Sequence, residues 1–230
     1  MTDRERLAAL MKLAEAMGVS FTYKDKVWWM RLLGWFLLVF GVDGFTPKYT
    51  TVLWKTISFP SEQAVENSPR TYFCVVFHEL WHKLHYDSLW SYIIWSLKYM
   101  YPQSLALLAP IGILGLIWWT PLVAFFGFFL VATPLLGKLE ARWRLDQEIH
   151  GYGASSCAEL WIQGRPYDGE HVTTAARSLS TGYFMKVPAD VNKLIADAAS
   201  SIELRAACDP DGFFGKVRRI YVDDNPESKR

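Results

Sequence analysis

His78, Glu79 and His82 have the residue types and the spacing of a metal-assisted hydrolytic site. They belong to the stretch His78-Glu79-Leu80-Trp81-His82, an H-E-x-x-H sequence. On a helix, residues four apart stand one turn apart on the same face, so the two imidazoles can grip one metal ion. Glu79, the next residue round, is placed to act as a general base toward water at that ion. Three fixed positions make a short motif that chance can supply, and the surroundings carry more weight. Ser68 suits an N-cap and Pro69 a first helical turn. Tyr72, Phe73, Val75, Val76, Phe77, Leu80, Trp81 and Leu84 make the helix apolar enough to be buried. Buried histidines and a buried glutamate are costly unless something satisfies them, and a metal ion would.

A catalytic zinc site needs a third protein ligand and an open fourth position. The charged helical sequence that follows the most apolar part of the chain offers Glu140, Asp146, Glu148 and His150. Glu148 is the first choice. Arg144 lies one turn before it and Tyr152 one turn after, on the same face, so it has hydrogen-bonding support built into the sequence. Tyr152 can also donate to a developing oxyanion. His150 ranks second. His85 shares a face with His78 and His82 but lies about 10 Å along the axis from His78, too far to share one ion. Nothing around His171 gives it a role, and Cys74 reads as packing.

Several elements must position these residues. Residues 2–17 predict an amphipathic helix, with Thr2 and Glu5 as a capping box and Gly18 as its stop. Residues 27–42 are intensely apolar but too short to span a bilayer. Trp28, Trp29 and Trp35, with Lys24 and Lys26 on the flank, suit a helix lying in a membrane interface. Residues 46–60 give the clearest strand signal, as one bent strand or a hairpin, and an edge there can bind an extended peptide by main-chain pairing.

Residues 99–137 contain no charged residue. Broken at Trp118-Trp119-Thr120-Pro121, they give two apolar segments of about 20 residues, each long enough to cross ~30 Å of hydrocarbon. Lys98, Lys138, Arg142 and Arg144 flank the near ends, which predicts a two-span hairpin with both ends, and the metal site, on the cytoplasmic side. The expected organisation is residues 1–98 and 138–230 as two parts of one domain, with residues 99–137 inserted. Helices are expected over 170–180 and 188–207, and residues 209–230 read as a tail whose end frays.

Composition limits the partners. The net charge of +1 gives a nucleic-acid partner no electrostatic support. Hydrophobic residues make up 51 %, with 11 Trp, 14 Phe and 11 Tyr. The three cysteines are odd in number and lack metal-ligand spacing, which fits a reducing compartment. The N-terminus has no signal-peptide pattern.

An H-E-x-x-H helix, two apolar segments and then a helix bearing a glutamate resemble the membrane zinc metallopeptidases of the HtpX and CAAX-prenyl-protease type. Those are gluzincins, whose third ligand opens a Glu-x-x-Ala-Asp stretch. Here the matching stretch is Glu148-Ile149-His150-Gly151-Tyr152, with Gly-Tyr in place of Ala-Asp. Residues 27–155 are also similar to small metallopeptidases of phages and bacteria. The resemblance implies a mainly α (α+β) minimal zincin-like fold with a short strand or hairpin and an inserted transmembrane helical hairpin. It implies Zn2+ held by His78, His82 and Glu148. It further implies Glu79 as general base, polypeptide as substrate, a lipid bilayer as partner, and peptide hydrolysis by zinc-activated water. A reading from another class is a membrane-embedded structural or interaction protein with a vestigial or structural zinc site. The intact Glu79 favours the enzyme, since a structural site needs no base. A soluble zincin with the hairpin as core is a third reading.

Overall fold

The computed structural model describes residues 1–39, 50–100, 142–163, 174–175, 179 and 188–222. Helix α1 (Asp3–Ala16) opens with the expected capping box: Thr2 Oγ1 accepts from the Glu5 amide while Glu5 accepts from the Thr2 amide. Gly18, at φ +78°, turns the chain into strand β1 (Ser20–Tyr23). A single 3-10 turn (Lys24–Lys26) then leads to α2 (Trp28–Val39).

The strand region is a hairpin. Strands β2 (Thr51–Leu53) and β3 (Thr56–Phe59) pair antiparallel, and β1 adds to β3 in parallel, giving the order β1-β3-β2. The turn is made at Trp54, at φ +56°, a conformation that costs a residue with a Cβ. Neighbours hold it there. Tyr86 Oη donates to the Trp54 carbonyl at 2.9 Å, and the Tyr92 ring meets the indole edge-on at 5.5 Å.

Helix α3 (Glu62–Asn67) is capped by Ser61 Oγ, and α4 (Pro69–Lys83) carries the H-E-x-x-H residues. Ser68 precedes α4 as expected and Pro69 starts it, but the Ser68 hydroxyl caps nothing. Helix α5 (Leu89–Met100) follows, then α6 (Arg142–Gln163), α7 (Val191–Cys208) and α8 (Phe213–Val222). Helix α8 was not expected: Val217 and Tyr221 are core residues, and only residues 223–230 of the tail lie outside the described residues. Residues 170–173, 176–178 and 180 also lie outside them, so the helix expected over 170–180 is described only at 174–175 and 179.

The fold is mainly helical with one small sheet. Helix α4 sits at its centre, packed on α1 and α6, while α6 packs on α7. Phe73, Val76, Phe77 and Leu80 share one core with Ala154, Cys157, Ala158 and Trp161 of α6, and with Ile202 and Tyr221. Both flanks of residues 99–137 therefore build one interior. The small residues of α6 allow close helix approach: a Cβ on Gly153 would lie 2.6 Å from Ala198 Cβ of α7. Among the described residues, no helix is long and apolar enough to cross a membrane. Apart from Tyr99 and Met100, which end α5, the hairpin expected over 99–137 lies outside the described residues.

Candidate metal centre

His78, His82 and Glu148 converge, with one ligand atom from each within 4.8 Å of the others. Helix α4 brings the two imidazoles and α6 brings the carboxylate. His78 Nε2 and His82 Nε2 are 3.1 Å apart, Glu148 Oε2 is 3.6 Å from His78 Nε2, and Glu148 Oε1 is 3.7 Å from His82 Nε2. Ligands around one tetrahedral zinc ion at about 2.0–2.1 Å stand roughly 3.3–3.5 Å from each other, so this triangle has the right size. Glu148 is 1 % exposed, yet among the described residues its Oε2 has no hydrogen-bond donor. A buried carboxylate oxygen without a donor is what a cation would satisfy. The three side chains can therefore hold a metal ion.

Charge is finely divided here. Burial works against the Glu148 carboxylate, but His78 and His82 beside it and the Tyr99 hydroxyl outweigh burial and hold its pKa well below the usual range. Burial also opposes protonation of His78, but Glu148 prevails and raises its pKa. His82 is driven down to about 3, by burial first and then by His78. Burial pushes Glu79 up to about 7; His78 and Lys24 pull it down and Glu148 reinforces the rise.

The other expected residues divide cleanly. Tyr152 stands at the site, its ring edge-on to His78 at 5.1 Å. His150 does not join: its ring stacks on Trp81 at 5.3 Å and its Nδ1 meets the Asp146 carbonyl oxygen at 2.8 Å. His85 Nδ1 meets the Trp81 carbonyl oxygen at 3.0 Å. Cys74 is buried against Glu159, which also binds Arg70. Glu140 and His171 lie outside the described residues.

Two residues of the site were not foreseen. Tyr99, expected to begin the first apolar segment, closes α5 and donates its hydroxyl to Glu148 Oε1. The Arg144 guanidinium lies 4.8 Å above the Tyr99 ring, so Arg144 supports Glu148 through Tyr99. Lys24, expected as a flanking surface charge, is fully buried, and its charge acts on Glu79. Neither had a local signal: Tyr99 opens an uncharged run and Lys24 sits among charged residues.

Two cavities meet at His78 and Glu79. One, of about 560 Å³, has a mixed wall, with Asn67, Ser68, Thr71 and Ser155 beside Tyr72, Val75 and Tyr152. The other, of about 440 Å³, reaches His82 and Glu148 and is walled by β2 and by Tyr86, Tyr92, Trp95 and Tyr99. Among the described residues β2 pairs only with β3, so its second edge borders this space.

No family model, curated protein or solved structure matches this chain.

Proposed function

We propose that this chain is a membrane-associated zinc endopeptidase of the gluzincin type, similar to the HtpX and CAAX-prenyl-protease group. The observation that carries the reading is the meeting of His78, His82 and Glu148 from two helices with Glu79 beside them in both cavities. Two imidazoles and one carboxylate suit zinc.

His78, His82 and Glu148 would hold the ion, which when bound supplies polarisation of a peptide carbonyl and acidification of water. Glu79 takes a proton from the attacking water on its carboxylate and delivers it to the leaving amine nitrogen. A pKa near neutrality suits a group that must do both. Tyr152 donates to the developing oxyanion, and Tyr99 keeps Glu148 oriented. An extended polypeptide pairs its main chain with the β2 edge.

Two exposed apolar faces support the membrane part of the reading. Trp28, Trp29, Leu32 and Trp35 are exposed on α2, and Leu89, Trp90, Ile94 and Leu97 on α5. Such faces beside an uncharged segment suit a bilayer interface, with the site on the cytoplasmic side.

The test is zinc content of wild type beside Glu148→Ala and His150→Ala, followed by proteolysis of an unfolded protein substrate by wild type and Glu79→Gln. One zinc per chain, lost in Glu148→Ala and kept in His150→Ala, with cleavage abolished in Glu79→Gln, is the expected result. Zinc without any cleavage would replace the enzyme by a structural zinc protein. No zinc in the wild type would overturn the reading.

A further inference from the structure

The two cavities that meet at Glu79 differ in their walls, the 440 Å³ one being the more aromatic, and an extended chain lying along β2 would occupy both. We propose, on the peptidase reading above, that the 440 Å³ cavity is the specificity pocket, selecting substrates with a bulky aromatic or branched apolar residue on one fixed side of the cut.

The wall explains the selection. Tyr92, Trp95 and Tyr99 recur at helical spacing on one face of α5 and turn toward the site, while Trp90, Ile94 and Leu97 of the same helix are exposed or half-exposed on the other. The rings brace one another. Trp95 stacks on Tyr99 at 4.8 Å, Tyr86 meets Trp95 at 5.5 Å and Tyr92 at 5.0 Å. Tyr86 gives its hydroxyl to Trp54 and Tyr99 gives its own to Glu148. What those two rings offer the cavity is carbon. Val52 and Leu53 of β2 add apolar surface beside Thr51 and Ser96, so the wall away from His78, Glu79, His82 and Glu148 is mostly carbon. A large apolar side chain leaves water for this wall, whereas a charged one loses its hydration against the rings. Braced aromatic walls also lose little freedom when a side chain enters.

The experiment maps every cut made in a set of unfolded proteins by mass spectrometry, using the full-length wild type, Trp95→Ala and Leu53→Trp. In parallel, the Glu79→Gln protein is titrated with fluorescent peptides differing only by Phe or Ala at the selected position. The expected result is enrichment of Phe, Tyr, Trp, Leu or Ile at one position beside the cut by about tenfold over Gly or Asp. Leu53→Trp shifts the preference to smaller residues, which keeps the test alive if Trp95→Ala fails to fold. The Phe peptide binds Glu79→Gln about tenfold more tightly than the Ala peptide. Cleavage without side-chain preference, or with preference for Lys or Arg, would overturn the pocket and leave the peptidase. Phe-selective binding without any cleavage would overturn the peptidase and leave the pocket as a binding site. Neither cleavage nor selective binding would overturn both.

Discussion

Gly151 of α6 lies so close to the His78 imidazole that a Cβ built on it would stand 2.6 Å from Cε1 and from Nε2. The contact accounts for the glycine: α6 passes nearer to α4 here than a side chain permits. Nε2 is also the ligand atom that faces Glu148. An added methyl group can be relieved only by moving the ring, and with it the ligand. Gly151→Ala is expected to weaken zinc binding by about tenfold or more, in the range of changes that misorient a ligand. The same clash also burdens the metal-free fold, offset in part by alanine's helix preference over glycine of about 1 kcal/mol. Competition with a chelator, beside thermal melting of the apoprotein, separates the two effects. Unchanged zinc affinity would show that His78 has room to spare.

Tyr99→Phe isolates one hydrogen bond. The ring that stacks on Trp95 and carries Arg144 is retained, while the donor to Glu148 Oε1 is lost. That hydroxyl is one of the groups holding the Glu148 pKa down. Zinc affinity should fall by about tenfold, and its decline with acid should begin at higher pH, because Glu148 then takes up a proton more readily. A chelator titration repeated from pH 8 to about 5 reads both changes. An unchanged pH profile would mean that the histidines alone keep Glu148 ionised.

The motif and the carboxylate that meets it were legible because their signals are local: the spacing of His78 and His82, and Glu148 on a charged helical stretch, although Arg144 and Tyr152 reach Tyr99 and His78. The capping box at Thr2 and Glu5 was legible for the same reason. Elsewhere tertiary context decided. Trp54 makes a hairpin turn against its own preference because Tyr86 and Tyr92 hold it, so residues 46–60 could be read as one strand or two. Helix α8 was hidden in a polar tail because Val217 and Tyr221 are few among charged neighbours. Lys26 behaves as a flanking charge should, paired with Glu62 at the surface, while Lys24 two residues earlier is buried. Nothing in the sequence distinguishes the two, since the difference lies in what packs over them.

Lys24 should make stability depend on alkaline pH. Burial lowers its pKa from 10.5 to about 8, with the Glu79 charge acting in the opposite direction. Below about 8 the folded and unfolded chains both carry the proton, and the cost of burying the charge is fully present. Between about 8 and 10.5 the unfolded chain binds more protons, so this contribution favours folding increasingly as pH rises. Lys24→Met should remove that rise and be more stable than wild type at pH 7, as seen in the difference between urea midpoints across pH 7–11. Its loss should also leave Glu79 with a higher pKa, shifting the acid limb of any hydrolytic activity upward in pH. A variant less stable than wild type at pH 7 would show that the buried ammonium is held by more than it costs.

The tryptophans of α2 and α5 give the membrane proposal a direct optical test. Trp28 and Trp35 are 69 % and 65 % exposed on α2, opposite buried Met30, and Trp90 is 74 % exposed on α5. Indoles favour the headgroup level of a bilayer, where the ring is dehydrated and the N–H stays wet. Trp161, at 6 % exposed, is enclosed by the core and donates to Glu203, so it serves as the internal reference. With protein reconstituted into vesicles, lipids brominated near the headgroup should quench the fluorescence more than lipids brominated near the chain ends. Trp28→Phe and Trp90→Phe should each remove part of the quenched emission, and Trp161→Phe should remove only unquenched emission. Equal emission loss with and without bromine in the first two variants would place those indoles away from lipid. The outer faces of α2 and α5 would then need a protein to cover them, and the site would lose its argument for a position at the membrane surface.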